Sequence, residues 1–132
     1  WGGLPSVETM LPLLLSEGVN KQKLTLSDVC RVLCENPARI FGLYGRKGDI
    51  APGFDADLVV VDLNLEKRVS AERLHYKVDW TPYEGSLFKG WPVTTIVRGK
   101  VIYDGESLVG ESGYGKFVPM EVESRHTFTR TP

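Results

Sequence analysis

The sequence predicts a chain that runs from helices into strands, the order of an α+β fold or of the junction between two domains. Three observations carry this. Apolar residues recur at helical spacing through Leu4–Leu43. From Gly48 onward the period changes, and the apolar run Leu58-Val59-Val60-Val61 and two β-rich runs around Gly99 follow. Neither half is self-sufficient: the helical part is too small to bury a core alone, and about five short strands would leave edges in need of partners. The junction of two domains therefore fits better.

The first helix is expected over Leu4–Glu17, where Leu4, Val7, Leu11, Leu14 and Leu15 share a face. Ser6 is its expected N-cap. Pro12 lacks an N–H and crowds the preceding turn, so a kink or two short pieces are expected there, and Gly18 is the expected stop. Thr25 opens the next helix, with Asp28 three positions on in a capping-box arrangement. Asn36 is expected to cap a further short helix with Pro37 at its first position. Ala38, Ile40, Phe41 and Leu43 form its buried face, and Gly42 lies near its end.

Asp49-Ile50 reads as a short strand and Ala51-Pro52-Gly53-Phe54 as a turn, with Pro in second place and Gly able to take positive φ. Ala56–Asp62 is an expected strand whose continuous apolar run predicts cover on both faces. Leu63–Leu74 reads as a strand and then a turn. Val93–Arg98 and Lys100–Tyr103 make a hairpin about Gly99. Gly110, Gly113 and Gly115 read as loop glycines ahead of a polar tail, and no internal repeat is present.

The 132 residues suffice for one domain with a modest core, at 42% hydrophobic and 25% charged. A net charge of −1 with scattered Lys and Arg gives no electrostatic basis for binding nucleic acid or an anionic membrane. No apolar run approaches the ~20 residues that span a bilayer. Cys30 and Cys34, four apart on one helical face, read as small, partly buried apolar residues in a reducing compartment, so a cytoplasmic setting is expected.

Machinery for chemistry is sparse. Asp55 and Asp57 could bind a metal or serve acid–base work, but no third ligand is near, and they read as turn-to-strand residues accepting backbone hydrogen bonds. The two histidines, His75 and His126, lie far apart and read as surface or packing residues. Trp80, Tyr83 and Trp91 gather around two prolines, as a small core under a loop or, alternatively, a binding lip. Gly2-Gly3 lacks the third glycine and the lysine of a phosphate loop.

The stretch NPARIFGLYGRKGDIAPGFDADLVVVD, residues Asn36 to Asp62, resembles the C-terminal region of the cyclic amidohydrolases: dihydroorotases, allantoinases, and hydantoinases or dihydropyrimidinases. In that family a helix ending NPA-x-x-FGL is followed by KG-x-I-x-x-G-x-DADLV-x-x-D. LPSVETMLPLLLSEGV at the start, TPYEG at Thr81–Gly85, GWPVTTIVRGKVIYDGE at Gly90–Glu106 and GYGKFVP at Gly113–Pro119 are similar too. The resemblance implies an α/β parent, a (β/α)8 barrel plus a small β-sandwich built from both ends of the chain. Residues 1–46 would supply the last barrel helices, 47–119 the C-terminal part of the sandwich, and 120–132 a polar tail. The chain begins at Trp1, not Met, and is expected to be the C-terminal piece of the parent.

The resemblance further implies two divalent metals, usually zinc, in the parent. Their ligands are an HxH motif, a carboxylated lysine, two more histidines and an Asp on the last barrel strand, all upstream of Trp1. None is expected in this chain, which would be inactive alone. Metal-bound hydroxide would open a ring C–N amide bond. Adjacent backbone groups just before the E-T pair touch substrate in dihydroorotases, which maps that role onto Gly2 and Gly3. Glycine there suits close approach to a flat ring. The partners implied are the N-terminal remainder of the protein, a small cyclic amide and further copies in a homo-oligomer.

Substrate signals are mixed. Trp1-Gly2-Gly3 and LHYKVDWTPYEG look like allantoinases, ETMLPLLL like dihydroorotases, and LYGRKGDIAPG like hydantoinases, with Gly45 where those usually carry Pro. A non-catalytic alternative is the dihydropyrimidinase-related scaffold proteins, which keep the fold but lose the metal ligands.

Overall fold

A computed structural model describes residues 3–120 of the chain. Its elements are α1 (Val7–Leu13), a π-helical stretch Leu14–Val19, α2 (Leu26–Cys30), a second π-helical stretch Arg31–Glu35, α3 (Asn36–Ile40), β1 (Leu58–Arg68), a 3₁₀ turn Ala71–Arg73, β2 (Leu87–Val97) and β3 (Lys100–Tyr103). Helices do precede strands, as the periodicity requires.

Pro12 does not break the first helix. It lies buried within α1, and the bonding widens to the π register two residues later, with the Asn20 N–H reaching the Leu15 carbonyl at 2.8 Å. A missing N–H frees a carbonyl in the ladder, and a widened turn absorbs the mismatch. Ser6 is not a side-chain cap; only its backbone carbonyl is used, by Thr9. Gly18 does not end the helix either. A Cβ there would stand 2.7 Å from Leu24 Cδ1, so Leu24 packs directly over the bare backbone of Gly18.

The Thr25–Asp28 capping box forms as expected, with the Asp28 N–H on Thr25 Oγ1 at 3.1 Å and the Thr25 N–H on Asp28 Oδ2 at 3.0 Å. Asn36 is no cap: its backbone is helical (φ −60°, ψ −47°), and the helix passes through the π stretch and Pro37 without interruption. It ends at Gly42, whose φ of +63° allows a Schellman closure, Gly42 N–H to the Arg39 carbonyl at 3.2 Å and Leu43 N–H to Ala38 at 2.7 Å. Of the expected buried face only Ala38 is fully buried; Ile40 and Phe41 are exposed.

Asp49-Ile50 is not a strand. Asp49 Oδ1 takes the Ile50 N–H at 2.7 Å, diverting a donor that a ladder would need. The turn that follows closes as expected, with the Phe54 N–H on the Ala51 carbonyl at 3.1 Å and Gly53 at φ +95°. The sheet is antiparallel with order β1-β2-β3. Three strands form among the described residues, fewer than the five expected, because Asp49-Ile50 forms none and the two segments read separately on either side of Asp62 run together in β1, while β2 starts earlier than read, at Leu87. Pro92 sits in the central strand beside a register shift at Val60/Val61, where a missing donor is tolerated. Arg98 (φ +45°) and Gly99 (φ +80°) form the two-residue hairpin turn.

Helix and sheet meet at Gly90, where a Cβ would stand 2.7 Å from that of Leu15. Asn20 fastens the same contact: its side-chain amide donates to the carbonyls of Leu15 (3.2 Å), Leu63 (3.2 Å) and Lys89 (2.9 Å). The core is Val69, Phe88 and Trp91, with Leu13, Leu65, Leu74 and Tyr83 against it. The β1 run expected to be covered on both faces is not covered within the described chain: Val59 and Val60 are each 49% exposed.

Candidate functional site

The segment given a functional role from sequence enters α1. Gly2 lies outside the described residues. Gly3 is exposed at φ +134°, with no atom within 4 Å of where a Cβ would stand. A side chain is strained at such a φ, so the backbone stays bare and approachable. Five residues on, Glu8 turns toward the loop after Arg73. Its carboxylate accepts the His75 N–H at 2.8 Å and pairs with His75 Nδ1 at 2.9 Å, while the Glu8 N–H reaches the Tyr76 hydroxyl at 2.8 Å. His75 is thus a surface residue with a specific partner, 67 positions away, that no local signal could supply. His126 lies outside the described residues.

A groove of about 520 Å³ opens beside this tie, lined in part by Glu8, Arg68, Arg73, His75, Trp91 and Tyr103. Burial pushes the Tyr103 phenol up, and the Glu8 charge adds to it. The phenol donates to the Gly105 carbonyl at 2.8 Å.

Asp55 and Asp57 do structural work. Lys47 lies between them, 2.8 Å from Asp55 and paired also to Asp57, while Arg46 holds Asp55 at 3.0 Å. The Asp57 carboxylate also takes the Arg98 N–H at 2.7 Å, tying the loop to the hairpin turn. The Lys47 hydrogen bond, then Arg46, holds the Asp55 carboxyl below its usual range. Burial pushes Asp57 up, but Lys47 and the Arg98 N–H outweigh it.

Two of the three aromatic residues near Pro82 and Pro92, Tyr83 and Trp91, join the small core. Tyr83 and Trp91 pack on Phe88, with ring centroids 5.6 and 6.5 Å away, and Trp80 is half-buried. Phe88 is the member sequence reasoning missed. Cys30 and Cys34 are free and exposed, though enough of the chain surrounds Cys34 for burial to push its thiol up. Among the described residues, no three His, Cys, Asp or Glu gather in a way that could hold a metal. Nor is any helix long and apolar enough to cross a membrane.

The chain matches the Amidohydrolase family over residues 5–102. It belongs to the amidohydrolase family. It is 45% identical over 125 residues to a dihydroorotase of Methanothermobacter thermautotrophicus, covering 94% of this chain and 28% of that protein. It is 40% identical over 116 residues to an L-hydantoinase of Paenarthrobacter aurescens, covering 88% of this chain and 25% of that protein. Among solved structures, the L-hydantoinase (dihydropyrimidinase) from Arthrobacter aurescens superposes with a TM-score of 0.86 at 39% identity, over 89% of this chain and 26% of that one. The chain therefore spans about a quarter of the length of the relatives it matches. Amidohydrolases are generally metal-dependent, and the residues described here do not fit a metal centre.

Proposed function

We propose that this chain is the C-terminal part of a cyclic amidohydrolase, one that hydrolyses a ring C–N amide bond in a substrate of the hydantoin, dihydropyrimidine, dihydroorotate or allantoin type. The observation that carries this is the similarity to a dihydroorotase and an L-hydantoinase across nearly the whole chain. Residues 1–46 close a (β/α)8 barrel, residues 47–119 belong to a sandwich completed by other strands, and 120–132 form a tail. Open apolar side chains at Ile40, Phe41, Val59 and Val60 support that division, since each needs cover from elsewhere.

In this reading the metals, usually zinc, sit on residues outside the chain, and no bond-breaking step falls to residues within it. Its contribution is binding and orientation. Backbone groups at Gly2 and Gly3 hold the flat ring, and the chain is inert without the barrel that faces them. The working enzyme is a cytoplasmic homo-oligomer.

The test is the protein as it occurs in its source cells: intact mass, metal content, and ring opening of hydantoin, dihydrouracil, dihydroorotate and allantoin. A longer polypeptide with about two metals per chain that opens one of these rings is the expected result. A metal-free protein that opens none of them overturns it.

A further inference from the structure

Cys30 ends α2 and Cys34 lies in the π-helical stretch that follows, on one continuous helix. Positions four apart on a helix are neighbours, with Cβ atoms about 5–6 Å apart. The turn they share is widened: the Asn36 N–H reaches back five residues to the Arg31 carbonyl. Widened turns of this kind are rare and recur at functional sites. Both thiols are free and exposed. The backbone of Cys34 is held by the loop at Gly48, which packs so closely that a Cβ there would stand 2.9 Å from the Cys34 carbonyl oxygen. Burial, and after it the charge of Cys30, pushes the Cys34 thiol up, so the two sulfurs lie within electrostatic reach of each other.

What two thiols can hold depends on what else can reach them. The carboxylates nearest in sequence are engaged, Asp28 with Arg31 at 2.6 Å and Glu35 with Arg39 at 2.8 Å. No third His, Cys, Asp or Glu among the described residues completes a metal-binding group. Structural zinc and iron–sulfur clusters take four ligands and are not served. Soft thiolates also select copper(I), and an ion satisfied by two sulfurs needs nothing more. A metal–thiolate bond of about 2.3 Å, the zinc value, puts two sulfurs on one ion at most ~4.6 Å apart. Cβ atoms about 5–6 Å apart can deliver them. We propose that Cys30 and Cys34 form a two-thiolate site for a soft, two-coordinate cation of the copper(I) class. Each thiol releases its proton to solvent and its sulfur bonds to the ion. The ion keeps its oxidation state, and the product is a bis-thiolate of net charge −1. Capture of this kind is independent of which ring, if any, the protein opens.

The experiment titrates the full-length protein, reduced and without oxygen, with copper(I) against the chelator bicinchoninate. Cys30→Ser, Cys34→Ser and the double variant are compared with the unsubstituted protein. Each single variant is expected to bind one copper(I) fewer per chain, and the double variant no fewer than that, because neither sulfur alone holds the ion against the chelator. A second measurement needs no variant: iodoacetamide labelling of the unsubstituted protein, read by peptide mass. Both cysteines are expected to label without copper(I), and saturation with the ion protects both together. A copper(I) count that the double variant leaves unchanged, or that only the double variant lowers, overturns the proposal. So does a cysteine that still labels at saturation. Failure of either to label without copper(I) overturns it too, since that shows the thiol covered in the whole protein.

Discussion

Lys47 lies between Asp55 and Asp57, and through Asp57 it reaches the hairpin turn at Arg98. Burial pushes the Lys47 ammonium down, but its hydrogen bonds to the two carboxylates outweigh this and raise it. The two carboxyls are lowered in return. Their stabilisation is therefore present above the unfolded carboxyl value of about 4 and is lost as pH falls through the lower folded values. The Lys47 contribution is present below about 10.4 and is lost as pH rises through its raised folded value. Melting temperature followed from pH 2.5 to 7 should fall steeply at the acid end. Lys47→Met should flatten that fall and lower the neutral-pH melting temperature by about 2–5 °C. An unchanged acid limb would mean that other carboxylates govern it.

Gly48 and Gly53 have nearly the same φ, +97° and +95°, but different surroundings. A Cβ on Gly48 would stand 2.5 Å from Ala38 Cβ and 2.9 Å from the Cys34 carbonyl, whereas one on Gly53 meets nothing within 4 Å. Gly53→Ala should cost about 1–2 kcal/mol, the left-handed backbone penalty alone. Gly48→Ala should cost roughly 1–3 kcal/mol more, because the neighbours are backbone and a short side chain that cannot swing away. Equal denaturation midpoints for the two variants would refute the contrast.

Asn20 donates to three carbonyls from one amide nitrogen. Asn20→Ala should destabilise by about 1–2 kcal/mol. Asn20→Asp should do worse by a further ~1 kcal/mol at neutral pH, since it sets a carboxylate against three oxygens and has no donor to offer. Finding Asp better tolerated than Ala, by chemical denaturation, would show that the triple contact does not hold in solution.

Phe88 is 4% exposed at the centre of the small core, touching Tyr83 and Trp91. Phe88→Ala should cost about 3–4 kcal/mol and Phe88→Leu about 1 kcal/mol, read from the denaturant midpoint at constant slope. A loss below about 1 kcal/mol for Ala would mean that the core collapses to refill the site.

What could be read in the sequence was what local chemistry decides. The Thr25–Asp28 box, the Gly42 terminus, the Pro52-Gly53 turn and the Gly99 hairpin each need only a few neighbouring residues, and each forms. The family pattern over Asn36–Asp62 was legible for the same reason. What escaped depends on distant partners. Ser6 is a residue type that caps helices, but the Glu8 N–H is taken by Tyr76, 68 positions beyond Glu8. Asn36 looked like a helix start because a π stretch ahead of it leaves no local mark. Ile40, Phe41 and Val59 read as buried from their type, but nothing among the described residues covers them. The tie of Glu8 to His75 and Tyr76 could not be read at all, since its partners lie 67 and 68 positions apart.

Among the described residues β1, eleven residues long, is paired on one side only, whereas the far side of β3 is partly closed by the bonds of Val109 and Gly110 to Ile102. An open row of N–H and C=O groups flanked by exposed valines accepts another strand from any source. Closure by a strand of the same polypeptide is first order. Addition to a neighbouring copy is second order, so it gains with every rise in concentration. Dilution, slow synthesis and a tethered covering strand all favour the first course, and overexpression of this segment by itself favours precipitation.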